Sequence, residues 1–413
     1  MPNDHVPVLC PNLSPPLIEG AAAIAGQVAA GQPVAAMLQA LSGPFPTENA
    51  MMAAAFDTAV LAFLSNQREL GLALQSDVLA NALLYRYRSA GKGLRLLAIA
   101  TAGDLQTNMP IEFITAHLNV RLDILFVLPG VPLPERMPEH DVAICVVSDS
   151  APDTLIRLQP ILARWPRPVL NDPNRAADGR VDHLTRAGIA ALLADIPGLC
   201  APATTACDRA DIDRALSSDN LAGALLPNAA FPLLLRPEGS HAGHQLARLD
   251  DVGALTAYRD SISAARFTVT QFVDARDAQG MYRKSRVALV QGRPFLCHMA
   301  VSENWMIHYL NAGMTDDPAR REAEARAFDA FDDEFALRHR SAFTALHARL
   351  GLDYVIIDCA ETPDGRLLLF EVEMAAIVHL LDPVEMFAYK QAPMRRMFAA
   401  FGDMLHTAAL IAA

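Results

Sequence analysis

Asp358, Glu371 and Glu373 flank a short turn in the stretch "DCAETPDGRLLLFEVE". Leu367 to Phe370 read as a β-strand. Side chains alternate across a strand, so Glu371 and Glu373, two apart, share one face. The turn-type sequence Pro363-Asp364-Gly365 closes a hairpin, and its paired strands can bring Asp358 opposite the two glutamates. Three carboxylates on one face repel unless positive charge stands among them. One source is Mg²⁺ or Mn²⁺, for which carboxylates are suitable hard-oxygen ligands. The other is a neighbouring arginine such as Arg283 or Arg286. The hairpin alone leaves both open.

A second group of residues suits an anion. Arg236 ends the apolar run "FPLLLRP" and is followed by "EGSHAGHQL". Glycine lets backbone approach an anion closely, and N–H groups of such a loop can face it. Ser240, His241 and Gly243 are therefore candidate phosphate contacts beside Arg236. Taken alone, Arg236 fits a structural salt bridge as well. Further on, "TQFVDA" reads as a strand running into a loop. The backbone of Gln271, Phe272 and Val273 there can meet a purine, with Asp274 or Asp277 on the ribose. "YRKSRVALVQG" places Lys284 and Arg286 two apart on another strand, hence on one face.

"HMAVSENWMIHYLNAGM", residues 298–314, combines Trp305, His308 and Asn311 with tyrosine and glycine. Such a mixture suits a substrate pocket, or a packed strand end with one core tryptophan. The histidines show no HExxH or H-x₃-H spacing, and no GxSxG is present, so zinc-hydrolase and serine-hydrolase readings lack their motifs.

These residues need a scaffold. The chain has 413 residues, 52% of them hydrophobic and 19% charged, which predicts a globular protein of two or three domains. A net charge of −12 argues against non-specific nucleic-acid binding, but a local cation cluster can still hold an anionic ligand. Positive charge is almost all arginine; Lys92, Lys284 and Lys390 are the only lysines. The six cysteines form no CxxC pair and read as reduced, buried thiols. Neither a secretory signal nor a membrane span is visible, so the cytoplasm is the expected location and no membrane partner is expected.

Residues 1–90 read as a helical N-terminal region, a packing or dimerisation element that leaves a homodimer open. The texture then changes. "LRLLAIAT", "LDILFVLP", "DVAICVVSD" and "PVLND" are short β-rich runs separated by helical stretches, the pattern of a parallel sheet covered on both faces. Such sheets bind ligands beyond their strands' carboxyl ends, which singles out Asn108 in the loop after the first strand. A helix is expected near 180–198, a long charged helix near 320–350 and a helix at the C-terminus.

In this order the parts resemble the ATP-grasp superfamily of carboxylate–amine ligases, over roughly residues 94–400. "VLNDP", a helix, "GLCAPATT", the strand–cation–glycine loop, the hinge, the arginine-bearing strand and the acidic hairpin follow one another as in that family. The resemblance implies an α/β and α+β architecture: a parallel pre-ATP domain plus two α+β lobes enclosing the nucleotide, here after the helical N-terminal region. The domains would be 1–90, 91–200 (pre-ATP), 201–315 (nucleotide-binding lobe) and 316–413 (metal-binding lobe).

It also implies ATP and Mg²⁺ (or Mn²⁺) as cofactors, with Asp358, Glu371 and Glu373 as metal ligands. The implied reaction is amide formation through an acyl phosphate, joining a small-molecule or peptide carboxylate to an amine acceptor. Arg286, Arg236 and Lys284 would stabilise the transferring phosphoryl group, and Asn108, Trp305, His308 and Asn311 would meet the substrate. Three features depart from the family pattern: Arg236 stands where lysine is usual, Glu373 where asparagine is usual, and a further lysine usual near the entry helix has no match around Asp182-His183. A phosphotransferase and a nucleotide-binding scaffold without turnover are the alternatives.

Overall fold

The computed structural model of the protein describes residues 7–88, 91–240, 243–307 and 312–411. The chain forms two compact units. One comprises Met1–Val181, Gly351–Ile356 and Glu373–Ala413; the other comprises Asp182–Leu350 and Ile357–Val372.

The first unit holds β1 (Val8–Cys10), β2 (Leu17–Ile18), β3 (Leu84–Tyr87), β4 (Leu94–Ala100), β5 (Val120–Phe126), β6 (Arg136–Pro138), β7 (Val142–Cys145) and β8 (Val169–Leu170). Six of these form one sheet in the order β2-β3-β5-β4-β7-β8, and β1 pairs separately with β6. All the sheet's pairings are parallel except β3 with β5. Leu96 to Ala100 on β4 and Val142 to Cys145 on β7 are buried throughout, as central parallel strands covered on both faces must be. The helix Gln391–Leu410 packs against β4 and β7 and buries Met394, Met397, Phe398, Phe401, Met404 and Leu405, a stripe at helical spacing.

Residues 1–90 are not a separate helical region. The helices Gly20–Ala29, Val34–Ala40, Glu48–Leu64 and Arg68–Leu79 are present, but β2 and β3 join the sheet on which β4 and β5 lie. Phe56, Tyr85 and Phe126 meet as a ring cluster across the expected boundary at 90. The expected boundaries at 200 and 315 also differ from the observed division, which falls at 181 and again inside the final hairpin.

The second unit holds β9 (Leu199–Cys200), β10 (Thr204–Asp208), β11 (Leu233–Pro237), β12 (Ala247–Leu249), β13 (Arg266–Gln271), β14 (Tyr282–Val290), β15 (Arg293–Ser302), β16 (Tyr354–Glu361) and β17 (Leu367–Glu373). They form a four-stranded sheet, β10-β13-β11-β12, and a five-stranded sheet, β15-β14-β16-β17-β9. The smaller sheet is antiparallel, with its apolar face packed on the helices Arg209–Leu216, Leu221–Leu225 and Val252–Ser261. The charged stretch near 320–350 is broken into Pro318–Ala330, Phe335–Arg338 and Arg340–Leu350.

Among the described residues, no helix is long and apolar enough to cross a membrane. All six cysteines are free, and all but Cys200 are buried.

Candidate anion-binding site

β16 runs through the interior of the five-stranded sheet, and Tyr354 to Ala360 are all buried. Asp358 therefore sits in an apolar strand at 1% exposure. An isolated carboxylate there would be costly, so it requires cations. The neighbouring strand β14 supplies them. Strand alternation puts Lys284 and Arg286, both half-buried, on one face together with the buried Tyr282. Arg286 grips Asp358 with a two-point fork, Nε donating to Oδ1 at 2.8 Å and Nη2 to Oδ2 at 2.9 Å. Lys284 Nζ lies 2.6 Å from Asp358 Oδ2. Burial by itself would raise the Asp358 carboxyl; Arg286 and Lys284 together overcome it and hold the group well below the usual carboxylate range, with a smaller contribution from His298. β15 places His298 opposite Arg286, beside an irregularity in the ladder at Arg286/Val287.

Glu371 follows on β17, half-buried, and pairs with Arg186. Arg186 opens the helix Arg186–Leu193, whose N-cap Thr185 accepts from the Gly188 N–H. Burial pushes the Glu371 carboxyl up and Asp358 adds to that; Arg186, Arg236 and Lys284 outweigh both, so its acidity is strengthened. Four cations, from a helix, β11 and β14, thus act on two carboxylates. Arg186 was not found by sequence reasoning, although a signal existed. A cation in a helix's first turn opposes the helix dipole and calls for an acid nearby.

For the expected Mg²⁺ or Mn²⁺, the donor set as placed does not fit. Both oxygens of Asp358 already accept from Arg286, and Lys284 adds a third contact. Glu371 is occupied by Arg186. Glu373 ends β17 two residues beyond Glu371. Among the described residues, no group of three or more His, Cys, Asp or Glu is arranged to hold a metal ion. The positive charge beside the acidic hairpin comes from arginine and lysine, with Arg286 among the partners expected and Arg283 paired instead with Asp277.

Arg236 turns onto its own loop. Its Nε donates to Ser240 Oγ at 2.9 Å, its Nη2 donates to the Ser240 carbonyl, and Ser240 Oγ donates to Pro237 O at 2.8 Å. Gly243 adopts φ +74°, and a Cβ there would lie 3.2 Å from Met306 Sδ. His241 lies outside the described residues. Arg236 thus ties Ser240, and Met306, next to Trp305, approaches Gly243.

At the expected hinge, Gln271 uses its side-chain amide on Ala230, donating to its carbonyl at 3.0 Å and accepting from its N–H at 3.1 Å. Arg248 lies 4.4 Å above the ring of Phe272, and Trp305 meets the same ring edge-on at 6.1 Å. Val273 packs on Ala275, Ala360 and Leu368. Asp274 pairs with Arg276, which holds its carboxyl below the usual range. Trp305 therefore neighbours the hinge and, through Met306, the glycine loop. His308 and Asn311, expected beside it, lie outside the described residues. In the other unit, Asn108 donates to Thr101 O at 2.8 Å and accepts from Thr101 N at 2.9 Å. Its amide closes its own loop, a structural task where substrate contact was expected.

The fold and site define a mixed α/β protein: a largely parallel sheet unit, and a two-sheet unit carrying a buried carboxylate gripped by arginine and lysine. No protein-family model and no curated protein matches the chain. Among solved structures it is similar to the VanG D-Ala:D-Ser ligase from Enterococcus faecalis, at 11% identity and TM-score 0.46, covering 76% of this chain and 100% of that one. It is also similar to D-alanine–D-alanine ligase from Bacillus anthracis in complex with ATP, at 13% identity and TM-score 0.43, over 77% and 97% of the two chains. A RimK domain ATP-grasp protein from Sphaerobacter thermophilus shows 18% identity and TM-score 0.37 over 77% and 98%.

Proposed function

We propose that the chain is an ATP-dependent carboxylate–amine ligase of the ATP-grasp type, with an amino acid, a small carboxylate or a peptide as donor. The observation that carries this reading is the cluster in which Arg286 and Lys284 hold the buried Asp358 while Arg186 pairs with Glu371. Arginine and lysine side chains gathered in this way suit a polyphosphate. The order of sequence parts around the cluster supports the same reading.

In the reaction, a substrate carboxylate oxygen attacks the terminal phosphorus of ATP, releasing ADP and forming an acyl phosphate. The amine nitrogen then attacks the acyl carbon, phosphate leaves, and the nitrogen gives up a proton. Such chemistry asks a protein mainly for positioning and charge neutralisation. Arg286 and Lys284, fixed by Asp358, would face the transferring phosphoryl group. Arg236 and the Ser240–Gly243 loop would hold the remaining phosphates. The backbone at Gln271–Asp274 would take the base, and Trp305, resting on Phe272, would border the nucleotide instead of the acceptor.

The test is product analysis of the purified chain with ATP and a panel of amino acids and short peptides. ADP, free phosphate and a product of donor plus acceptor minus water are expected. ADP with a phosphorylated product and no free phosphate would identify a phosphotransferase. Nucleotide left intact with every pair would contradict both.

A further inference from the structure

We propose that the uncharged face around the helix Val34–Ala40 is an interaction surface for a second copy of this chain, which docks on it in a two-fold symmetric dimer. This goes beyond the nucleotide reading and does not depend on it.

Three observations carry it. First, no Asp, Glu, Lys or Arg occurs from Gly20 to Thr47, although 19% of the chain is charged. Such a stretch is ordinary inside a core, but much of this one lies at the surface. Every residue of the helix Val34–Ala40 is exposed except Met37, and Val28, Val34 and Leu38 are 42, 38 and 41% exposed. Second, the helix has little to hold it. Isolated helices shorter than about 12–15 residues are marginal in water, so one of seven residues depends on packing. Among the described residues no other helix or strand packs broadly on it, and its N-cap Pro33 supplies no side-chain bond. A partner covering Val34 and Leu38 would supply the missing burial. Third, a groove of the same character follows in the chain. It has a volume of about 450 Å³ and is lined in part by Pro15, Pro16, Asn49, Met52, Leu83 and Val131; none of its described lining residues is charged.

Charge selects the occupant. The chain carries a net charge of −12, so two copies repel wherever their charged surfaces meet. They can approach closely only across a face without charge. Such a face complements itself, as a two-fold symmetric interface requires. A charged partner would gain nothing electrostatic from it. An anionic membrane is a poorer match still, because the face offers it no lysine or arginine. Residues 28–52 together with the groove are comparable to the roughly 20–30 residues a side of a standard interface.

The experiment is sedimentation velocity of the full chain over a range of concentrations, for the wild type, Leu38→Asp, Val28→Glu and the control Ile156→Glu, whose site is 54% exposed on another helix. The wild type should sediment with the mass of two chains. Leu38→Asp and Val28→Glu should each weaken the dimer at least about tenfold, because each buries unpaired carboxylates in the interface. Ile156→Glu should leave it unchanged. Raising the salt concentration should keep or tighten the dimer, since screening removes repulsion between the acidic bodies. Thermal melts of the variants should match the wild type; variants that unfold would show the face to be buried within the chain, and would overturn the proposal. So would a dimer that both variants retain, a dimer lost equally in the control, a dimer that salt dissolves, or open-ended association. A wild type that stays monomeric would overturn it as well, and binding of that monomer to vesicles of neutral phosphatidylcholine would assign the face to lipid.

Discussion

Arg236 does two things with one side chain. It carries charge toward the cluster, where it acts on Glu371, and it ties the glycine loop through Ser240. Arg236→Ala should therefore weaken ATP binding by about 1.5–3 kcal/mol, the loss expected for charge-assisted hydrogen bonds. Ser240→Ala keeps the cation and the backbone carbonyl it donates to, so its effect should be several-fold smaller. Equilibrium titration of both variants checks the order; equal losses would assign Arg236 to the loop alone. The chemistry-bearing residues were legible as types at spacings. Arg236, Lys284, Arg286, Asp358 and Glu371 all stand out in the sequence. Their partners were not legible, because Arg186 and Glu371, which pair in the fold, stand far apart in the sequence. The same limit applies to Gln271, whose amide bonds the distant backbone of Ala230, whereas Asn108 closes its own loop onto Thr101.

At the scale of elements, the helix Gly20–Ala29 has no side-chain cap of its own. Its first N–H groups are met from elsewhere. Asp57 accepts from Glu19 N at 2.9 Å and Gly20 N at 3.0 Å, and Glu112 accepts from Ala21 N at 3.2 Å. Gly20 has φ +78°, and a Cβ there would sit 2.2 Å from the Tyr87 ring, so the helix start is fitted closely to β3. Both carboxylates are buried, and burial raises Asp57 from 3.8 to about 6 and Glu112 from 4.5 to about 7. The sign follows from the protonated forms being favoured in the folded state. For Glu112 the contribution is fully present below about pH 4.5 and is lost as pH rises through about 7. Glu112→Gln should thus stabilise the protein at pH 8, by at most about 3 kcal/mol, and give no gain at pH 4.5. Denaturant unfolding at the two pH values checks this, and a gain of equal size at both would contradict it. Neither carboxylate's task was legible, since each caps a helix that lies far from it in sequence. Long apolar strands such as β4 and β5 were legible from composition alone. The two-residue β2 and four-residue β3 were not, because they lie amid helical patterns and are too short to impose a period of their own.

For the whole molecule, the parallel sheet and the acidic hairpin were legible from strand–helix alternation and turn chemistry, but the division of the chain was not. The expected boundaries followed changes of texture along the sequence. The observed units are instead built from segments that return: Gly351–Ile356 and Glu373–Ala413 rejoin the unit formed by the N-terminal half. Apolar β16 and β17 give no local sign of that exchange, because both stretches are equally suited to burial. The proposed task of the second unit's cation cluster is to hold phosphate, and the most direct test of that is how binding scales with phosphate number. ATP, ADP and AMP should be titrated calorimetrically into the same preparation of the full chain. Affinity should fall roughly tenfold with each phosphate removed, since each phosphate lost forfeits about one charge-assisted contact worth ~1.5 kcal/mol or more. AMP binding as tightly as ATP, or no binding of any of the three, would contradict the account.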